Sequence, residues 1–221
     1  MEPEKPNAVI FDLDGTLLNT LDDLADAANK MLSLHGFAPH PTEAYRTFVG
    51  DGLFVLIKRI TPEHTSKEML QSCMRVFQRE YEANWNNKTS LYPEIDTMLN
   101  RLTALQVKIA ILSNKPDNYT KKCVGEFLAS YKFYPVFGQR ENIARKPAPT
   151  GALEIAEKLN VAPRSCLFVG DSSVDMKTGN AAGMTSIGVS WGFRSEPELL
   201  ESGAQHIINH PLELVRYVTN P

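Results

Sequence analysis

Six short apolar runs constrain this chain more than any other feature: Ala8–Phe11, Val107–Leu112, Tyr134–Phe137, Cys166–Val169, Thr185–Val189 and His206–Ile208. From residue 92 onward they alternate with stretches of helical periodicity at 95–105, 117–129, 149–159 and 174–182. Strands that alternate with helices build βαβ units, so the expected fold is α/β, a doubly wound parallel sheet covered on both faces. Such sheets bind ligands beyond the carboxyl ends of their strands, at a switch in strand order. Polar residues follow these runs or stand in nearby loops in four places: Asp12/Asp14, Ser113/Asn114, Lys146 and Asp171/Asp175. One rule therefore gathers four distant segments into one crevice.

Between the first run and the others the pattern changes. Residues 20–32 place Leu21, Leu24, Ala28, Met31 and Leu32 on one stripe, and 42–46, 53–60 and 66–85 read as further helices with no strand alternation. The expectation is an inserted helical subdomain over 19–91, set into a core built from 1–18 and 92–221. Asp22 and Asp23 read as helix-start charges on a solvated face, and Gly36 as the helix's C-terminal cap. Phe77, Tyr81 and Trp85 read as core of the insertion.

Composition narrows the function. With 43% hydrophobic residues in 221, the chain can bury a full core, and a net charge of −3 without a long charged run argues against nucleic acid or a membrane surface as partner. Cys73, Cys123 and Cys166 are odd in number and widely spaced, which suits free thiols, with Cys166 a small core residue. The polar, proline-bearing Met1–Pro6 does not read as a signal peptide and no apolar segment is long enough to span a bilayer, so a cytoplasmic location is expected. His206 and His210 lie four apart, but no neighbouring Cys or carboxylate completes a zinc set.

Asp12 and Asp14 end the first run and start on the same side of an extended segment, so a divalent cation, a Lys or Arg, or a shared proton must offset their charge. With Asp171 they form a set of hard oxygen donors suited to Mg²⁺ beside a phosphate. Ser113 is expected at the start of the following helix, where exposed N–H groups favour an anion, with Pro116 at an early helical position. Lys146, between Arg145 and Pro147, brings a cation on a loop held out of helix by two prolines.

Asp12-Leu13-Asp14-Gly15-Thr16, Leu112-Ser113-Asn114, Lys146-Pro147 and Val169-Gly170-Asp171-Ser172-Ser173-Val174-Asp175 resemble, in order, the four signature motifs of the haloacid dehalogenase superfamily. The resemblance covers nearly the whole chain and implies a Rossmann-like core with an α-helical cap. It implies that Asp12 is the nucleophile and forms an aspartyl-phosphate, and that Asp14 is the general acid and base. Mg²⁺ would be held by the Asp12 side chain, the Asp14 main-chain carbonyl and Asp171. Ser113, Asn114, Lys146 and Thr16 would bind the phosphate, and Asp175 would orient the metal site or Lys146.

Asp14 argues against a dehalogenase or phosphonatase, and Thr16 tilts the choice from phosphomutase to hydrolase. Asp12–Leu18, Ser113–Pro116 and Arg145–Pro149 resemble the phosphoglycolate phosphatase branch, as does the cap stretch Val49–Arg59. The expectation is hydrolysis of a small phosphorylated metabolite, 2-phosphoglycolate first, by a monomer or homodimer. The alternatives are a β-phosphoglucomutase-like sugar phosphomutase, or a pyrophosphatase or nucleotide monophosphatase of the same superfamily. In the cap, Gly52 and Arg59 are candidate substrate contacts, set against the reading that Gly50-Asp51-Gly52 is an interhelical turn and Arg59 a helix-end charge.

Overall fold

A computed structural model describes residues 6–219, so the reading of the N-terminal residues 1–5 lies outside the described residues. In chain order these form β1 (Ala8–Phe11), β2 (Leu18–Asn19), α1 (Leu21–Leu34), α2 (Tyr45–Phe48), α3 (Leu53–Ile60), α4 (Lys67–Asn84), β3 (Ser90–Leu91), α5 (Ile95–Ala104), β4 (Lys108–Pro116), α6 (Asp117–Phe127), β5 (Val136–Gln139), α7 (Thr150–Leu159), β6 (Cys166–Gly170), α8 (Ser173–Ala181), β7 (Thr185–Val189), α9 (Glu196–Glu201), β8 (His206–Ile208) and α10 (Leu214–Thr219). The chain divides into two compact units, one holding residues up to Leu18 and from Leu91 on, the other Asn19–Ser90.

The first unit is built on a parallel sheet of six strands in the order β5-β4-β1-β6-β7-β8, flanked by helices. From β1 the chain first builds β4 and β5 on one side, then returns to place β6, β7 and β8 on the other. The carboxyl end of β1 is therefore the switch point. Phe11 is level with Ile111 of β4 and Val169 of β6, so Asp12, Ser113 and Asp171 follow within two residues at one edge of the sheet.

Period-two alternation sends Ala8 and Ile10, Ala110 and Leu112, and Cys166 and Phe168 to the same face, where they pack with Ala152, Ile155, Ala156 and Leu159 of α7. The alanines let helix and sheet approach closely. All three cysteines are free and buried. No helix among the described residues is long and apolar enough to cross a membrane.

Two boundaries depart from the sequence reading. β4 does not stop at Leu112 but continues to Pro116, which pairs with Gln139 of β5 after a register shift. Ser113 is thus in the strand's extension, four residues before α6 begins at Asp117, and Pro116 both closes the strand and stands at the N-cap of α6, one residue ahead of its first turn. The strand expected at 134–137 lies at Val136–Gln139. Pro135 has no N–H to give a ladder, although its carbonyl accepts from the Ile111 N–H at 3.1 Å and the Tyr134 N–H donates to the Ile109 carbonyl at 2.9 Å.

The second unit is helical. Ser66 caps α4 by accepting from the N–H of Met69 at 3.2 Å, and Phe77 stacks on Tyr81 inside it. Trp85 is half-buried beyond the end of α4. Asn29 ties three segments together, its Oδ1 accepting from Tyr45 Oη at 2.7 Å and from the His40 N–H at 2.9 Å.

Asp22 is exposed as expected, but Asp23 is not: it is only 2% exposed. Its carboxylate accepts from the Lys88 and Thr89 N–H groups at 3.0 and 2.9 Å and from the Thr89 hydroxyl at 2.8 Å. Its partners are 65 and 66 residues away, beyond the reach of local pattern. Asp23→Ala leaves main-chain donors of a buried loop without an acceptor, so an expected loss of about 1–3 kcal/mol follows. Asp22→Ala should stay within about 0.5 kcal/mol of wild type. Urea unfolding of both variants checks this, and equal shifts would contradict the assignment.

Candidate active site

Asp12 is the first residue past β1, and its N–H donates to the Val169 carbonyl at 2.9 Å. Asp171 follows β6, and Asp175 sits in the first turn of α8. There Ser172 and Asp175 form a reciprocal capping box: the Asp175 carboxylate accepts from the N–H and hydroxyl of Ser172 at 3.1 and 2.6 Å. Ser172 is thus the helix cap. Asp12, Asp171 and Asp175 are all buried and each offers an oxygen within 4.8 Å of the others.

Lys146 stands against this cluster. Its Nζ lies 2.8 Å from Asp12 Oδ1 and 2.7 Å from Asp175 Oδ1, with 3% of the side chain exposed. Asn114 holds the Lys146 main chain from both sides. Its Oδ1 accepts the Lys146 N–H at 3.0 Å and its Nδ2 donates to the Lys146 carbonyl at 3.1 Å. The Asn114 side chain is therefore committed to the lysine loop.

Asp14 is half-buried and paired with Lys115, Nζ to Oδ1, at 2.9 Å. The Ser113 hydroxyl is buried and accepts from the Lys115 N–H at 3.2 Å. Thr16 is 1% exposed and its Oγ1 has no hydrogen-bond partner, whereas its carbonyl accepts from Trp191 Nε1 at 3.0 Å.

The segment after β7 completes the crevice. The Phe193 N–H donates to Asp171 Oδ2 at 2.7 Å. Gly192 and Gly15 both lie against Asp171: a Cβ on either would fall 2.2 Å from an Asp171 atom. Gly15 also holds a φ of +84°, open to glycine at little cost.

The electrostatics follow from crowding. Burial foremost, then the charges of Asp175 and Asp14, push the Asp12 carboxyl up to about 7, although Lys146 pulls it back. Burial, then the charges of Asp175 and Asp12, push Asp171 well above the carboxylate range, against the N–H of Phe193 and the charge of Arg194. Burial would lower Lys146, but Asp12 and Asp175 outweigh it and hold the ammonium above its ordinary range.

A divalent cation fits this arrangement. Asp12, Asp171 and Asp175 bring three buried carboxyl groups together beside the ammonium of Lys146. Asp12 Oδ1, though close to Lys146 Nζ, is outside hydrogen-bonding angles and has no hydrogen-bond partner. Asp175 is different, since Lys146 and Ser172 engage both of its oxygens. Asp12 and Asp171 are thus the better direct ligands, with Asp175 behind them.

In the helical unit, Gly50 and Gly52 take φ values of +110° and +88°. Arg59 pairs with Asp51 at 2.6 Å and donates to the Phe48 carbonyl at 3.0 Å. The guanidinium therefore ties α3 to the 48–52 turn, an anchoring role that neither sequence reading of Arg59 named. His210 pairs with Glu94 at 2.6 Å, a carboxylate too distant in sequence to be anticipated.

The sequence reading passed over three contributors: Lys115, the Asn114 side chain, and Trp191–Phe193. The rule on strand ends covers 191–193 as well, since they follow β7, but no charged pair marks them. Lys115 is two residues past Ser113, so strand alternation places both on one side.

The sequence profile of the haloacid dehalogenase-like hydrolase family matches residues 9–189. A phosphoglycolate phosphatase of Psychrobacter arcticus is 32% identical, with 95% of this chain and 94% of the relative covered. One from Haemophilus influenzae is 30% identical over 93% and 95%. The crystal structure of a proposed phosphoglycolate phosphatase from Lactobacillus delbrueckii subsp. bulgaricus superposes with a TM-score of 0.92 at 30% identity, covering 98% of this chain and all (100%) of that one. With a profile spanning most of its length and relatives covered almost end to end, the chain belongs to the haloacid dehalogenase-like hydrolase family, as one of its phosphatases.

Proposed function

We propose that the protein hydrolyses a small phosphate monoester, 2-phosphoglycolate first, through an aspartyl-phosphate on Asp12, with Mg²⁺ as cofactor. The observation that carries this reading is the buried meeting of Asp12, Asp171 and Lys146 at the switch point of the sheet, with Asp14 beside them. An Asp12 oxygen attacks phosphorus as the bond to the leaving oxygen breaks, and Asp14 gives that oxygen its proton. Water then attacks phosphorus, Asp14 takes the proton, and the phosphorus–Asp12 bond breaks to free phosphate. Lys146, the Ser113 hydroxyl, the Asn114 N–H and Thr16 hold the phosphoryl oxygens as charge moves. Asp12, Asp171 and the Asp14 main-chain carbonyl would hold Mg²⁺, whose charge would offset the repulsion between an anionic nucleophile and an anionic phosphate.

The chain's helical unit, Asn19–Ser90, serves as the cap that sets substrate identity. Free buried thiols and the expected cytoplasmic location fit one another. A panel of monoesters tests the proposal. Phosphate release should be greatest from 2-phosphoglycolate, ahead of sugar phosphates, nucleotide monophosphates and pyrophosphate. Chelation should stop it and added Mg²⁺ restore it. Isomer in place of phosphate from a sugar 1-phosphate with a bisphosphate primer would make the protein a mutase, and no release from any ester would end the reading.

A further inference from the structure

Among the described residues two lysines are buried, and each holds one acid of the Asp12-x-Asp14 pair. Lys146 belongs to the phosphate site already described. Lys115 is not one of the proposed phosphate contacts, and a buried ammonium is expensive unless it is paired. Its side chain is 4% exposed, against 19% for that of Asp14.

The stem of Lys115 is fixed along its main chain. The N–H donates to Ser113 Oγ at 3.2 Å, and the carbonyl accepts from Thr120 Oγ1 at 3.2 Å. Gly138 packs so close that a Cβ there would lie 2.6 Å from that carbonyl. The ammonium thus extends from a rigid strand end to Asp14 Oδ1 at 2.9 Å. Asp14 itself lies on a loop closed by the Gly15 N–H on the Leu18 carbonyl at 2.8 Å, which fixes its main chain but not its carboxyl rotamer.

We infer that Lys115 is the positioning residue of Asp14: it holds Oδ1 and so leaves Oδ2 as the oxygen that meets the leaving group. The inference rests on the proposed acid–base role of Asp14. When the phosphorus–oxygen bond breaks, its electron pair goes to the leaving oxygen and the proton on Asp14 Oδ2 follows it. An alkoxide needs that proton; an aryloxide such as p-nitrophenolate leaves without it. Losing Lys115 should therefore penalise alkyl esters selectively, which a merely structural ion pair would not do.

The test compares kcat/KM, which reports phosphoryl transfer to Asp12 and not the later attack of water shared by all esters, for 2-phosphoglycolate, or the best alkyl ester of the panel, and for p-nitrophenyl phosphate. In Lys115→Met the alkyl ester should lose about 10²-fold in kcat/KM and the aryl ester less than about fivefold. Lys115→Arg should recover part of the alkyl loss, and Lys115→Met should cost nothing further in an Asp14→Asn background. Should Lys115→Met fail to fold by circular dichroism, Lys115→Gln carries the same comparison. Asp14→Asn with full alkyl activity would overturn the role of Asp14 itself. An impaired Asp14→Asn beside a Lys115→Met that is harmless, that slows both esters equally, or that adds its full loss in the double variant would overturn the inference while sparing that role.

Discussion

Asp12→Asn is expected to lose turnover by at least about 10³-fold while keeping the fold, because the amide offers no anionic oxygen to attack phosphorus. The same variant should equal or exceed wild type in stability at pH 8 with chelator present. Asp12 is 8% exposed and crowded by two other buried acids. Burial holds its carboxyl up at about 7, whereas an unfolded aspartate titrates near about 4. The folded protein therefore binds this proton more tightly than the unfolded chain does. That stabilisation is complete below the unfolded value and is lost as pH rises through about 7, by at most about 1.4 kcal/mol per pH unit for one group. Asparagine removes that slope. Urea unfolding at pH 5 and pH 8 should show the variant gaining on wild type at the higher pH, and a variant that loses ground there would sink the argument. The gain in stability and the loss of rate have one origin, a charge kept where solvent cannot relax it.

The second large effect belongs to Lys146. Lys146→Met removes the ammonium placed 2.8 Å from Asp12 and 2.7 Å from Asp175, leaving buried carboxylates uncompensated. Breaking a buried pair from one side costs about 3–5 kcal/mol, and that loss is expected at pH 7 in chelator. Wild-type Lys146 is held above its ordinary range, so its stabilisation is present throughout neutral pH and is lost only above it. Any relief on the acid side must come from the carboxylates taking up protons. The deficit should accordingly shrink at pH 5, and a divalent cation should narrow it at pH 7. Turnover should fall by more than about 10²-fold, since the phosphoryl oxygens lose their cation as well. Thermal unfolding across pH with and without Mg²⁺ measures all of this; a variant as stable as wild type at pH 7 would show that the pair contributes nothing.

What the sequence carried was periodicity and local chemistry. The alternation of apolar runs with helical stretches was enough for a parallel sheet, and the strand-end rule brought Asp12, Ser113, Lys146 and Asp171 to one edge. Contacts between distant segments were not legible. Asp23 looks like any acid in a first helical turn, and only its loop partners at 88 and 89 reveal it as buried. The side chain of Asn114 could not be assigned to the Lys146 main chain, because a motif records residue types and not which atom each one uses. The end of β4 was misplaced for a similar reason. Pairing with Gln139 extends the strand through Ser113–Pro116, where local polarity suggests a loop.

The lack of room around Asp171 has a consequence for adaptation. Gly15 and Gly192 press on that carboxylate from two sides, so one added carbon at either position displaces the acid itself. A lineage under selection for a new ester, in nature or in a directed-evolution vessel, has no gradual path there. Every first step is a fall in fitness. Innovation should be channelled to the helical unit and the outer loops, and a saturation library should return those two codons almost untouched.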